Sequence, residues 1–164
     1  MKILFVCSGN TCRSPMAEAI FRNFYSQSDS QPEIASAGIY ALPGDEASPN
    51  AILAMQKRGL DIKNHRSRVV SPYLLEQADI IITMNQSHKE ALLLIDPALA
   101  DKTLAMAEID GTDINDPYGG VLELYKDCAD QIEKSLRILW HRLEEDRLKK
   151  TTAQKTSQEK GNED

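Results

Sequence analysis

The chain contains little cysteine and no pattern typical of a metal site. Its 164 residues include three cysteines, which are Cys7, Cys12 and Cys128. An odd, small number of cysteines in a chain without an export signal argues against a disulfide framework. No CxxC pair occurs, and the histidines at positions 65, 88 and 141 are scattered, so we expect no zinc site.

Basic charge and aromatic residues are also scarce. The formal net charge at pH 7 is −6, from 19 lysines and arginines against 25 aspartates and glutamates. Three phenylalanines and one tryptophan are present, and no basic stripe accompanies them. Proteins that bind nucleic acid neutralise its phosphates with clustered positive charge. We therefore expect no nucleic acid among the partners.

Long apolar runs are absent too. The start, MKILFV, is only as long as a strand, and polar loop residues follow it at once. Later segments nowhere approach the run of about 18 apolar residues that indicates a transmembrane helix. We therefore predict neither a signal peptide nor a membrane span, no membrane partner, and a cytoplasmic location. The oligomeric state stays open.

Short apolar segments alternate with segments that have helix signals. Strands are predicted over residues 2–6, 34–38, 79–84 and 102–106. Helices are predicted from Ser14-Pro15 to about residue 25, from Ser48-Pro49 to about Gly59, from Ser71-Pro72 onward, and over residues 87–95. This alternation predicts a single α/β domain with a parallel sheet covered by helices on both faces.

The last predicted helix has the clearest apolar stripe, with apolar residues every three or four positions. They are Val121, Leu124, Tyr125, Cys128, Ile132, Leu136, Leu139, Trp140 and Leu143. From about residue 148 to residue 164 the sequence is polar and has almost nothing to bury, so we predict a disordered tail. The predicted domain covers residues 1–147.

Residues 7–15, CSGNTCRSP, lie between the first predicted strand and the first helix. A loop at the carboxyl end of a parallel strand can point its backbone N–H groups inward and bind an anion such as phosphate. Gly9 is predicted to take a backbone angle that a β-carbon would resist. Arg13 adds a planar cation, and this positive environment is expected to favour the nucleophilic thiolate of Cys7. Ser14 would donate a further hydrogen bond to the sulfur.

Both the candidate nucleophile and a candidate acid have a structural alternative. A free cysteine is most often a buried structural thiol, but the spacing of Cys7 and Arg13 in a strand–loop–helix context favours a nucleophile. A nucleophilic phosphatase also needs a general acid, for which Asp116 in NDPYGG is the candidate. Tyr118 of the same segment would line the pocket. Taken alone, an Asp-Pro pair is more typical of a turn before a helix.

Taken together, VCSGNTCRSP at residues 6–15 and NDPYGG at residues 115–120 resemble the low-molecular-weight protein tyrosine phosphatase family, over roughly residues 1–147. The resemblance implies a four-stranded parallel sheet with helices on both sides and no metal or organic cofactor. It implies that Cys7 is the nucleophile, Arg13 binds phosphate, Ser14 stabilises the thiolate and Asp116 is the general acid. The substrate site would also include Ser8, Gly9, Asn10, Thr11, Cys12 and Tyr118.

The resemblance also implies a buried network that braces the loop, formed by Asn10, Ser36 and His65. For His65, an ordinary core or surface histidine is an equal alternative from the sequence.

The other two thiols have different expected roles. Cys12 is either a small loop residue that faces the core or, as the resemblance favours, a thiol that captures a sulfenic acid on Cys7 as a disulfide. Cys128 lies on the apolar stripe of the last helix and is expected in the core.

Thr11 bears on the choice of substrate. Family members that act on phosphotyrosine usually carry an aliphatic residue there, whereas CSGNTCRSP resembles the bacterial protein arginine phosphatases of the family. A threonine hydroxyl can accept a hydrogen bond from a guanidinium, and Asp116 would pair with the same group. Phosphorylated proteins are thus the expected partners, with phosphoarginine favoured. Phosphotyrosine is the alternative, because the aromatic ring of Tyr118 could pack against the phenyl ring of such a substrate.

Two further classes agree less well with the sequence. An arsenate reductase can share the fold and the loop, but it needs further cysteines to pass on electrons, and only Cys128 lies outside the loop. A non-catalytic phosphoprotein-binding module needs no nucleophile or acid, so the set of Cys7, Arg13 and Asp116 favours an enzyme.

Overall fold

The computed structural model describes residues 1–160 of the chain, with side chains to residue 154. Its strands are β1 (Lys2–Cys7), β2 (Glu33–Gly38), β3 (Ile80–Thr83) and β4 (Thr103–Ala105). Its helices are α1 (Arg13–Phe24), α2 (Pro49–Gln56), α3 (Pro72–Gln77), α4 (Gln86–Ile95), α5 (Ala107–Asp110) and α6 (Leu122–Lys160), with a 3-10 helix at Pro97–Lys102. The predicted alternation of strands and helices is confirmed. The short α5 was not predicted.

The four strands form one parallel sheet in the order β2-β1-β3-β4. At the carboxyl end of β1, Cys7 lies opposite Gly38 of β2, and Val6 lies opposite Thr83 of β3. β1 is therefore an internal strand whose end lies between those of two neighbours. Ligands of open α/β sheets bind at this edge, where the strand order reverses. The loop from Cys7 to α1 begins there.

Helices cover both faces of the sheet, as the sequence predicts. Along β1, Ile3 and Phe5 belong to one buried cluster, whereas Leu4 and Val6 belong to another, as the alternation of side chains in a strand requires. Buried residues of α1, α2 and α6 complete the first cluster, and residues of α3 and α4 complete the second. Cys7 belongs to the first cluster, so the loop that follows it lies next to α1 and α6.

Helix starts follow the signals in the sequence. Pro49 and Pro72 lie in the first turns of α2 and α3, and Ser71 accepts a hydrogen bond from a backbone N–H of that first turn. Asn85 caps α4 in the same way, because its side chain accepts a hydrogen bond from the backbone N–H of His88. These caps fix where α3 and α4 begin relative to the sheet.

The apolar stripe of α6 is confirmed for most of its length. Tyr125, Cys128, Ile132, Leu136 and Leu139 are buried, and Trp140 and Leu143 are partly buried against the same core. The prediction is wrong for Val121 and Leu124, which are 67% and 51% exposed. Leu124 lies against Gly120, in the turn before the helix, and is not part of the buried core cluster.

α6 continues to Lys160, where the sequence predicts a disordered tail from residue 148. Residues 148–160 contain no glycine or proline, and a helix that is already nucleated by packing extends without a new nucleation cost. The described side chains from residue 145 to residue 154 are exposed and add nothing to the core. Residues 161–164 lie outside the described residues, and a domain boundary near residue 147 stays a prediction.

None of the helices in the described part of the chain combines the length and apolar character needed to span a bilayer.

Candidate active site

The loop between β1 and α1 turns sharply at Asn10. This residue has a φ of 55°, in the left-handed region that asparagine tolerates better than most side chains. The special backbone angle predicted for Gly9 is wrong, because Gly9 has no left-handed φ and a β-carbon there would meet only Thr11 Oγ1, at 3.7 Å. Glycine is required instead at Gly38, where a β-carbon would lie 2.5 Å from the carbonyl oxygen of Ser8. The loop therefore lies directly against the end of β2.

The buried side chain of Asn10 joins the loop to neighbouring segments. Its Nδ2 donates hydrogen bonds to Ser14 Oγ at 2.8 Å and to Ser36 Oγ at 3.0 Å. Its Oδ1 accepts a hydrogen bond from the backbone N–H of Arg68 at 3.0 Å. The backbone carbonyl oxygen of Asn10 lies 2.7 Å from His65 Nε2 and accepts a hydrogen bond from it. The structure thus brings together Asn10, Ser36 and His65, the residues expected to brace the loop.

The Asn10 amide also orients the hydrogen bond between Ser14 and Cys7. Ser14 Oγ lies 2.9 Å from Cys7 Sγ and accepts a hydrogen bond from Asn10 Nδ2, so its own hydrogen is free to point at the sulfur. The backbone N–H of Asn10 donates to the same sulfur at 3.3 Å. The Ser14 hydroxyl and the Asn10 N–H therefore both face the buried thiol of Cys7.

Burial dominates the acidity of Cys7. It raises the pKa of the thiol above its ordinary value, whereas the hydrogen bonds from Ser14, the charge of Arg13 and the N–H of Asn10 act in the opposite direction. The sequence predicts that the positive surroundings favour the thiolate. The surroundings act in that direction, as predicted, whereas the opposing effect of burial does not follow from residue types.

Arg13 and Asp116 meet at the mouth of the site. Arg13 Nη2 lies 3.1 Å from Asp116 Oδ2, and Arg13 Nη1 donates a hydrogen bond to the carbonyl oxygen of Ile114 at 3.2 Å. The arginine side chain is 4% exposed and the aspartate side chain 50% exposed. The backbone N–H of Tyr118 donates to the other carboxylate oxygen at 3.2 Å, which forms a tight Asx-type turn. The NDPYGG turn thus directs Asp116 toward Arg13.

A cavity of about 290 Å³ lies next to Cys7. Its lining includes eight predicted site residues, which are Cys7, Ser8, Gly9, Thr11, Cys12, Arg13, Asp116 and Tyr118. Asn10, Ser14, Ser36 and His65 are not part of the lining and support the loop from outside it. The lining residues Tyr40, Leu42 and Asp45 were not predicted. They follow β2, and the rule that loops at the carboxyl ends of parallel strands form the site would have indicated this segment.

Further side chains that were not predicted contact this assembly, among them Glu18 and His88. Glu18 Oε2 on α1 accepts a hydrogen bond from Ser36 Oγ at 2.6 Å. His88 Nε2 on α4 lies 2.8 Å from Ser8 Oγ. Glu18 lies beyond the end of the loop motif and His88 lies on a helix without a recognisable motif, so no signal in the sequence distinguishes them from ordinary helix residues.

The remaining thiols have distinct surroundings. Cys12 Sγ lies 3.0 Å from Ser48 Oγ and 3.4 Å from the hydroxyl of Tyr125. Cys128 is buried in the core, as predicted, and burial raises its pKa to about 12. All three cysteines are free thiols. Among the described residues, histidine, cysteine and carboxylate side chains form no group that could hold a metal ion.

The parallel sheet, the curled loop after β1 and the cysteine facing an arginine define a class of phosphatases that use a cysteine. The family model for low molecular weight phosphotyrosine protein phosphatases matches residues 2–150. The chain belongs to this family, and it is a phosphatase with the expected four-stranded parallel fold.

Relatives of both substrate types are similar to this chain. A protein-arginine-phosphatase of Bacillus subtilis is 37% identical over 150 residues, which cover 90% of this chain and 99% of that protein. A probable low molecular weight protein-tyrosine-phosphatase, EpsP, of Ralstonia nicotianae is 36% identical over 134 residues, which cover 82% and 90%. Among solved structures, this chain is similar to a cysteine-to-serine mutant of YwlE arginine phosphatase that carries a phosphorylated active-site serine. The two align with a TM-score of 0.84 at 35% identity, and the alignment covers 90% of this chain and 98% of that chain.

The Asn10 network predicts a loss of stability when only the amide is removed. In Asn10→Gly the left-handed backbone angle remains accessible, so the change in the free energy of unfolding reports on the hydrogen bonds to Ser14, Ser36 and Arg68. We expect the free energy of unfolding, measured by urea denaturation, to fall by about 1–3 kcal/mol. Asn10→Ala adds backbone strain and should lose about 1–2 kcal/mol more. An Asn10→Gly protein as stable as the unmodified one would contradict the importance of the network.

Proposed function

We propose that this protein is a protein phosphatase that works through a phosphocysteine intermediate on Cys7 and prefers protein phosphoarginine. The observation that carries the proposal is the convergence of Cys7, Arg13 and Asp116 on one cavity whose wall includes Thr11. A nucleophile, an anion-binding cation and a proton donor are the three groups that this reaction needs.

In the first step, the Cys7 thiolate attacks phosphorus. The S–P bond forms and the bond from phosphorus to the leaving nitrogen or oxygen breaks, while Asp116 donates a proton to the leaving atom. In the second step, the Asp116 carboxylate takes a proton from water as the water oxygen attacks phosphorus. The S–P bond then breaks, and phosphate and the thiolate are released. The phosphorylated active-site serine of the YwlE mutant supports a covalent phosphoryl-enzyme in that relative.

The contacts around the cavity support this sequence of events. The loop N–H groups and Arg13 would hold the phosphoryl oxygens. These oxygens would compete with Asp116 for the guanidinium, 3.1 Å away, and so release the carboxyl group toward the leaving atom. Ser14, 2.9 Å from the sulfur, would stabilise the thiolate both as nucleophile and as leaving group.

The cavity wall supports phosphoarginine as the preferred side chain. Thr11 contributes a hydroxyl, and Asp45 and Asp116 contribute two carboxylates that would attract a guanidinium. The Bacillus subtilis relative named protein-arginine-phosphatase supports the same choice. Protein phosphotyrosine is the second candidate, because Tyr40 and Tyr118 are exposed rings on this wall that could flank a phenyl group.

We propose a cytoplasmic location and a redox-sensitive Cys7. A thiol nucleophile requires a reducing compartment to stay active. Peroxide would convert the Cys7 thiolate to a sulfenic acid, and the Cys12 thiol would then displace water from it to form a disulfide that other thiols can reduce. Cys12 is suited to this capture because it lines the same cavity as Cys7. Cys128 is buried in the same core cluster but does not line the cavity, so it is not expected to take part.

Removing the nucleophile or the acid tests the mechanism. Cys7→Ser should still bind inorganic phosphate but show no turnover of a phosphopeptide. Asp116→Asn should lower kcat about a hundredfold or more, because the leaving atom departs without a proton. Asp45→Asn changes the other cavity carboxylate, which is proposed to attract the guanidinium and not to donate a proton, so as the matched control it should keep most of the kcat and act mainly on KM. Near-normal turnover by either Cys7→Ser or Asp116→Asn would refute the assignment.

Changing Thr11 tests the basis of substrate preference. Thr11→Ile removes the hydroxyl and adds an apolar side chain. It should lower kcat/KM for phosphoarginine roughly ten- to a hundredfold, because an unpaired polar group costs about 1–3 kcal/mol. The same variant should raise kcat/KM for phosphotyrosine. Thr11→Val, which has the shape of threonine, isolates the hydroxyl and should lose phosphoarginine activity without the gain on phosphotyrosine. A kcat/KM ratio that does not move in either variant would show that Thr11 does not set the preference.

Oxidation tests the role of Cys12. Mild peroxide should inactivate the unmodified enzyme, and a thiol reductant should restore it. In Cys12→Ala the loss should be largely irreversible, because the sulfenic acid is no longer captured and oxidises further. Cys128→Ala is the control and should recover like the unmodified enzyme. Equal recovery in Cys12→Ala and Cys128→Ala would rule out capture by Cys12.

A further inference from the structure

The imidazole of His88 contacts the phosphate-binding loop but has no part in the mechanism above. His88 is 5% exposed, and its Nε2 lies 2.8 Å from the Oγ of Ser8. Ser8 follows the nucleophile Cys7 directly and lines the cavity. A buried, titratable ring from a distant part of the chain is thus one hydrogen bond away from the site of phosphoryl transfer.

The position of His88 is fixed by the start of α4. Asn85 Oδ1 accepts a hydrogen bond from the backbone N–H of His88 at 3.0 Å, which caps the helix. Thr83 at the end of β3 donates from its Oγ1 to the carbonyl oxygen of Asn85 at 3.0 Å. β3 is hydrogen-bonded to β1, the strand that ends at Cys7. The ring is therefore held in register with the loop through the sheet.

The second ring nitrogen of His88 indicates which tautomer is present. Nδ1 is buried and has no hydrogen-bond partner among the described residues. A buried N–H without an acceptor is rarer in proteins than an acceptor without a donor, so the proton belongs on Nε2. The Nε2–H then donates to Ser8 Oγ. The hydroxyl hydrogen of Ser8 cannot also point at the ring, and it is free to turn toward the cavity.

The charges around His88 are consistent with a neutral ring. Burial and the charge of Arg13 lower the pKa of His88 to about 4, whereas Asp116 and Asp113 act in the opposite direction. At neutral pH the ring therefore carries a single proton. A second proton would place a charged N–H at Nδ1, where no acceptor is available among the described residues.

We propose that His88 is a positioning residue that directs the hydroxyl of Ser8 at the phosphoryl group on its way to Cys7. The inference rests on the proposed phosphatase reaction and adds to it a donor outside the backbone N–H groups and Arg13. A hydroxyl held in place by a neutral imidazole can stabilise charge on a phosphoryl oxygen without reorganising during the reaction. The effect is expected in kcat more than in KM.

A double-mutant cycle with para-nitrophenyl phosphate tests this inference. Ser8→Ala should lower kcat about tenfold, the usual scale for one neutral donor in the transition state. His88→Leu should lower it by a similar factor in the unmodified protein and have almost no further effect in Ser8→Ala. His88→Gln, whose amide can donate from nearly the same place, should recover most of the kcat. Equal losses from His88→Leu in both backgrounds, or full kcat in His88→Leu, would overturn the inference.

Two controls separate positioning from simple stability. Leu92→Ala removes a buried side chain one turn further along α4, so it should lower the Tm while leaving kcat unchanged. A fall in kcat as large as that of His88→Leu would show that any damage to α4 suffices, and the inference would fail. In the unmodified protein, the ¹⁵N chemical shifts of His88 should show a proton on Nε2 and none on Nδ1 at neutral pH. The opposite tautomer would contradict the proposal. This measurement does not depend on whether His88→Leu folds.

The same assay distinguishes this inference from the proposed function. If the unmodified protein does not hydrolyse para-nitrophenyl phosphate, the proposed function itself fails. If it does so and Ser8→Ala keeps full kcat, the phosphatase assignment stands and the role of His88 fails alone.

Discussion

The hydrogen bonds of the buried Asn10 amide hold the loop between β1 and α1 in its curled shape, and the geometry of the site depends on them. They allow a non-glycine residue to keep a φ of 55°, and they bring strand β2, α1 and the Arg68 segment into contact with the loop. The same amide occupies one side of Ser14 Oγ and leaves its hydrogen for the sulfur of Cys7. One side chain thus sets both the path of the backbone and the polarity around the thiol of Cys7, the proposed nucleophile.

The site balances opposing electrostatic effects. Burial raises the pKa of Cys7, and the donors on its sulfur together with Arg13 work against this increase. Arg13 is itself buried and is paired with Asp116, so its charge is compensated until an anion competes for it. This arrangement links three events of the proposed reaction: binding of the phosphoryl group, release of the acid and stabilisation of the thiolate.

Features that depend on local sequence could be predicted, whereas features that depend on how deeply a side chain is buried or on distant contacts could not. The Ser-Pro helix starts, the strands and the loop after β1 follow from short patterns, and the structure confirms them. The left-handed residue was expected at Gly9 because glycine adopts that angle most easily, yet the side-chain bonds of Asn10 place it one residue later. His88 reaches the site only through the pairing of β1 with β3, which no motif records. Similarly, a polar composition beyond residue 148 did not reveal that α6 would continue.

We propose that one hydroxyl and two carboxylates on the cavity wall adapt this cysteine phosphatase to a guanidinium-bearing substrate. The most direct test compares kcat/KM of the unmodified enzyme on two peptides of identical sequence that carry phosphoarginine or phosphotyrosine at the same position. We expect a preference for phosphoarginine of about tenfold or more, the scale on which one satisfied polar contact discriminates between substrates. Equal rates, or a faster rate on phosphotyrosine, would contradict it.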